Sequence, residues 1–153
     1  MAFADDLLRD AHHLANRGGK KPTQSSLRRS VSTAYYALFH LLIADFIANW
    51  PVREQRPKLA RMFEHRKMRA AEVQLADKKS PSPVEVKLQE VAKAFAQLQD
   101  DRYSADYDLG RNWSRTDVNE TLARAEDAVA AWRAIRKETA AQNHLILMFG
   151  AKR

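Results

Sequence analysis

Apolar side chains recur every three or four residues along most of the chain, the spacing of amphipathic helices. Phe3, Leu7, Ala11 and Leu14 form the first stripe and predict a helix from Phe3 to Asn16, with Asp5 and Asp6 at its positive start. Arg17-Gly18-Gly19 ends it. A second helix, capped by Thr23 or Ser25, is expected to run to Trp50, where Pro51 stops it. Its stripe is Leu27, Val31, Ala34, Leu38 and Leu42, and Tyr35, Phe39, Ile43 and Phe46 widen the apolar surface past a single face. Such a helix is buried on several sides, at the centre of a bundle or against a second subunit.

The pattern weakens after Pro51. Leu59, Met62, Phe63, Met68 and Val73 suggest a helix from Pro57 to Ala76, interrupted by Arg66 and Arg69. Lys78-Lys79-Ser80-Pro81-Ser82-Pro83 reads as a loop, with Pro83 suited to the first turn of the next helix. Val84, Leu88, Val91, Phe95 and Leu98 then give a clean bundle-facing stripe reaching Tyr103 or Asp106, before Leu109-Gly110. A fifth helix, capped by Ser114 or Thr116, turns Val118, Leu122, Ala125, Val129 and Trp132 inward and ends near Glu138. The run Leu145 to Phe149 is too greasy to stay exposed. The expected fold is all-α: a four-to-five-helix up-and-down bundle over residues 1–140, with a short apolar segment, 141–153, packing on the bundle or a partner.

Composition agrees with this. The 153 residues include four glycines and five prolines, and neither alternating β-branched runs nor hairpin dipeptides occur. The absence of cysteine excludes disulfides, thiolate metal sites and a cysteine nucleophile. The opening MAFADDLLRD lacks the apolar core of a signal peptide, and the apolar run near the C-terminus falls far below the roughly 20 residues of a membrane span. A cytoplasmic protein without membrane contact is the expectation. The net charge of +7 is concentrated in residues 52–79, a segment able to attract phosphate or an acidic partner, or simply to form a solvated face.

Two phrases carry a resemblance. One is Leu27-Arg28-Arg29-Ser30-Val31-Ser32-Thr33-Ala34-Tyr35-Tyr36-Ala37-Leu38-Phe39-His40; the other is Arg102-Tyr103-Ser104-Ala105-Asp106-Tyr107-Asp108. In order and spacing they make the chain similar to small stand-alone bacterial members of the HEPN superfamily. The resemblance implies a helical bundle that dimerises through its long helices. It also implies a role near nucleotides or RNA, either as a metal-independent ribonuclease of toxin–antitoxin systems or as an inactive binding module beside a nucleotidyltransferase. The catalytic members carry Arg and then, with four to six residues between, His on one helix, so that His serves as general acid or base while Arg holds phosphate. No such spacing occurs here; Arg61-Met62-Phe63-Glu64-His65 comes nearest, with three residues between.

The candidate chemistry follows from these phrases. His40, one turn after Tyr36, is either a pocket histidine reaching Arg102 or Asp106, or a core histidine bonded to backbone or tyrosine. Arg102, Asp106, Tyr107 and Asp108 form either a polar pocket or a helix terminus in which Asp106 pairs with Arg28 or Arg29. Tyr35 and Tyr36 are core aromatics whose hydroxyls join that network. Arg61 and His65, read as i and i+4 of one helix, would face one phosphate, with Arg66, Lys67 and Arg69 adding to a basic patch. His12 and His13 point about 100° apart on a helix and suit no shared metal; no metal site or cofactor is expected. The leading expectation is a homodimeric module binding a nucleotide, RNA or a partner protein without robust catalysis. The alternatives are a divergent ribonuclease using Arg102 or Arg61 with His40 or His65, and a purely structural interaction protein. A nucleotidyltransferase or an antitoxin is the implied partner.

Overall fold

A computed structural model describes residues 2–77, 79 and 81–150. These residues form no strand, and the protein is all-α. The helices are α1 (Phe3–Asn16), α2 (Gln24–Ala48), α3 (Arg56–Ala60), α4 (His65–Ala76), α5 (Pro83–Tyr107), α6 (Arg115–Ile135) and α7 (Thr139–Phe149), with a 3-10 turn at Arg53–Gln55. Four long or medium helices, α1, α2, α5 and α6, make the bundle, and the shorter ones close one side of it. The expected count of four to five therefore rises to seven, for two reasons traced below.

The ends of the long helices follow from local chemistry. The Thr23 side chain accepts from Ser26 N at the start of α2. Ser82 and Glu85 form a capping box on α5, with Pro83 in its first turn, and Ser114 and Asp117 form another on α6. Arg115 then reaches back to the carbonyls of Ala15 and Gly19 and satisfies the exposed end of α1.

α2 is the central helix, packed against α1, α5 and α6. It is long and apolar enough to cross a membrane by length and composition, but half of its most apolar stretch is buried inside the protein. That burial is what a core helix of a bundle shows. Leu27, Val31, Ala34, Tyr35, Leu38 and Leu42 are all buried. Facing them are Leu88, Val91, Phe95 and Leu98 of α5 and Val118, Leu122, Ala125, Val129 and Trp132 of α6, the expected stripes. Trp132 is fully buried, and its indole N–H donates to Asp45 at 2.6 Å, so its one polar atom is paired.

α1 meets the bundle on a face rotated from the expected one. Ala4, Ala11 and Ala15 are buried, whereas Phe3 is 59% exposed. Small residues let the α1 and α2 backbones approach closely, close enough for the Ser30 hydroxyl to donate to Ala11 O at 2.6 Å. Leucines on that line would hold the helices apart.

The first departure in helix count lies between residues 52 and 79. The single expected helix from Pro57 to Ala76 is broken: α3 ends in a turn with Met62 N bonded to Leu59 O and Phe63 N to Ala60 O, and α4 restarts at His65 from an extended Glu64. The break lets Phe63 point inward onto Phe46 and Phe149, with ring centroids 5.1 and 5.0 Å away. Met62 and Val73, placed on the apolar stripe by spacing alone, are exposed. The second departure is α7, which begins before residue 141 and so is continuous with the end of the bundle. Ala141, His144, Leu145 and Met148 are buried against the other helices, chiefly α4. Lys78 and Ser80 of the expected loop, and residues 151–153 of the C-terminal segment, lie outside the described residues.

Candidate functional site

Three helices bring a cluster of polar aromatic chemistry to one place. α2 supplies Tyr35, Tyr36, Phe39 and His40 at helical spacing, α4 supplies His65 from its first turn, and α5 supplies Arg102. His65 Nδ1 lies 2.6 Å from the Tyr35 hydroxyl, and its ring stacks on Phe39 with centroids 4.2 Å apart and planes 19° apart. His40 stacks on Tyr36 at 5.9 Å and meets Phe3 at 5.1 Å. The Arg102 guanidinium sits over both tyrosine rings, 5.4 Å from Tyr35 and 5.7 Å from Tyr36, in cation–π contact.

Arg102 is the most constrained cation of the group. Its side chain is 14% exposed, its Nη1 is 3.5 Å from Asp106, and its buried Nε has no hydrogen-bond partner. The electrostatics around it keep the imidazoles neutral. Burial holds His65 below the usual histidine value, and the charges of Arg102 and His40 depress it further. Burial alone lowers His40. Burial also raises the Tyr35 phenol well above its ordinary value, and its protonated hydroxyl shares a hydrogen bond with His65 Nδ1. Beside His40 an apolar hollow of about 220 Å³ opens between Phe3, Ile43, Ala44, Ile47 and Ala60.

Other candidates lie elsewhere or act otherwise. Arg28 does not pair with Asp106; it donates to the carbonyls of Ala105 and Asp108, each at 2.9 Å, and to that of Arg111, closing the C-terminus of α5. Arg29 is exposed on α2, and Asp106 faces Arg102 and Ser32 instead. Tyr107 is exposed and meets Tyr103, also exposed, at 5.0 Å. Asp108 accepts from Gly110 N in a turn beyond the helix. The pairing of Arg61 with His65 fails because the chain breaks between them: Arg61 ends α3 on the surface, while His65 turns inward. The basic patch is divided as well. Arg66 is exposed and Lys67 faces Glu64 at 3.7 Å, but Arg69 folds back onto Asp100 at 2.6 Å and Ala96 O at 3.2 Å. Among the described residues, no group of three or more His, Asp or Glu is placed to hold a metal ion.

Phe3 and Phe39 are members of the cluster that sequence reasoning placed only in the core. Their signal was weak: Phe39 is one turn from Tyr35, but nothing local says that α4 delivers a histidine onto it. No family model, no curated protein and no solved structure matches this chain.

Proposed function

We propose that this chain is a HEPN-type helical module, homodimeric and cytoplasmic, that binds RNA or a nucleotide through a phosphate seated at Arg102 and lacks robust catalysis of its own. The observation that carries this reading is the Arg102 guanidinium, a partly exposed cation held over the rings of Tyr35 and Tyr36. The exposed pair Tyr103 and Tyr107, at the same end of α5 as Arg102, offers faces on which bases stack. The two sequence phrases that resemble HEPN members lie on α2 and α5, the helices that build the cluster. Binding of a short single-stranded RNA, followed by fluorescence anisotropy, tests it. Affinity falls as salt rises, and Arg102→Gln weakens it about tenfold, the loss of one charge-assisted contact. Equal affinity for wild type and Arg102→Gln overturns the reading.

A second reading, metal-independent RNA cleavage, has its own support. The Arg and His that are absent as a linear motif meet in space, from α5, α4 and α2. Both imidazoles are held neutral, the state a general base requires. RNA incubated with the protein in EDTA decides between the two. Cleavage by wild type and not by His40→Ala/His65→Ala establishes the ribonuclease; intact RNA in both leaves the binding module. A nucleotidyltransferase or antitoxin partner is tested by co-purification from the native host, and the homodimer by light scattering.

A further inference from the structure

Just beyond the C-terminus of α2, two shallow hollows open on either side of Trp50. One, of about 230 Å³, is lined by Lys58, Leu59 and Met62 of the α3 region; the other, of about 180 Å³, by Phe46 of α2 and Leu145 and Ile146 of α7. Both walls are mainly apolar, yet Trp50, Met62 and Ile146 are 40, 55 and 51% exposed. The Trp50 indole N–H donates to Gln55 at 2.8 Å, which holds the ring as a fixed partition between the hollows. A ring already held in place loses little freedom when something packs against it. Exposed apolar side chains gathered in this way mark an interaction surface rather than scattered surface hydrophobics.

Size and charge select the occupant. Each hollow is smaller than the roughly 300 Å³ at which small-molecule sites begin, and so suits single apolar side chains of a macromolecule. Residues 50–63 hold four cations, Arg53, Arg56, Lys58 and Arg61, against one acid, Glu54. Arg56 is spent on the carbonyls of Ala48 and Trp50. Arg53, Lys58 and Arg61 are exposed and form no ion pair among the described residues, and α7 adds no acid. A second copy of this end would set these cations against their like. An RNA strand would find one stacking ring among aliphatic walls, and a lipid surface would leave the recessed hollows unfilled. We infer that this end of the bundle docks an acidic amphipathic helix of a partner protein. Apolar side chains one turn apart on that helix enter the hollows astride Trp50, and its carboxylates meet Arg53, Lys58 and Arg61. The inference is independent of the Arg102 cluster, since Ala48 ends α2 about 18 Å along the helix from Tyr36.

Tryptophan fluorescence of the full chain tests it, because Trp113 and Trp132 are buried and Trp50 alone reports on this surface. The probe is a synthetic helical peptide with leucines at i, i+3, i+4 and i+7 and glutamates on both flanks. A saturable blue shift is expected with this peptide, and none when lysines replace its glutamates or serines its leucines. Lys58→Glu and Met62→Ser, both exposed changes that leave the core intact, each weaken binding several-fold, and added salt weakens it further. No saturable shift, equal binding of the lysine peptide, or unchanged affinity in either variant overturns the inference. So does a blue shift given by phosphatidylglycerol vesicles and not by the peptide, which would assign the surface to a membrane.

Discussion

The position of one imidazole ring, that of His65, shows how much a single side chain's surroundings decide. Phe39 fixes its plane, the Tyr35 hydroxyl holds its Nδ1, and Arg102 adds a repulsive charge to the penalty of burial. These causes are separable. Arg102→Gln removes the charge and leaves the larger cause, burial, in place. The His65 midpoint, followed by NMR of its ring protons, is expected to rise in that variant yet stay below the ordinary histidine value of 6.5. A midpoint that does not move would mean the guanidinium is not beside the ring. At this scale the sequence was informative about which side chains matter and uninformative about who meets whom. Tyr35, Tyr36, His40, Arg102 and His65 all stood out by residue type. Their convergence depends on three helices separated by tens of residues, which no local spacing encodes. Asp108 and Arg28 stood out equally and are spent on closing the end of α5.

Among the helices, legibility follows the strength of local signals. α2, α5 and α6 begin at a Thr or Ser cap, two of them with a full capping box, and carry stripes that repeat without interruption; their starts were readable closely and their ends to within a turn. The stretch 52–79 has no cap, mixed charge and an apolar pattern compatible with one helix or two. Its break is decided by tertiary packing: Phe63 gains more from Phe46 and Phe149 than the chain loses by interrupting a helix. Phe63→Ala is therefore expected to destabilise the protein by about 3 kcal/mol, the lower range for a buried phenylalanine, because the site lies near the surface and can partly collapse. Urea denaturation measures it. Hydrogen exchange adds a finer readout, since α7 loses its aromatic seat and its amides should exchange faster than those of α5 and α6. A change below about 1 kcal/mol, with α7 unaffected, would show that the break is set locally by residues 61–64.

For the molecule as a whole, the two depressed histidines make stability depend on pH. In the unfolded chain each takes up a proton near the ordinary value of 6.5; in the folded protein each does so only at lower pH, because the cluster disfavours the charged ring. Between those points the unfolded state holds more protons, so stability rises with pH there and is lost as pH falls. The contribution is fully present above about pH 7 and declines on acidification through the folded midpoints. Asp5, lowered by its paired hydrogen bonds with Arg133, which tie α1 to α6, acts only below the ordinary carboxylate range and does not interfere between pH 7.5 and 5.5. Thermal unfolding across that window is expected to show a falling midpoint for the wild type. In His40→Phe/His65→Phe, which keeps the ring contacts with Phe39 and Tyr36 and removes the titrating groups, the decline should be shallower. Equal slopes in the two proteins would place the acid sensitivity elsewhere. A shallower slope in the variant would mean that the two histidines beside Arg102 carry the cost of acidification.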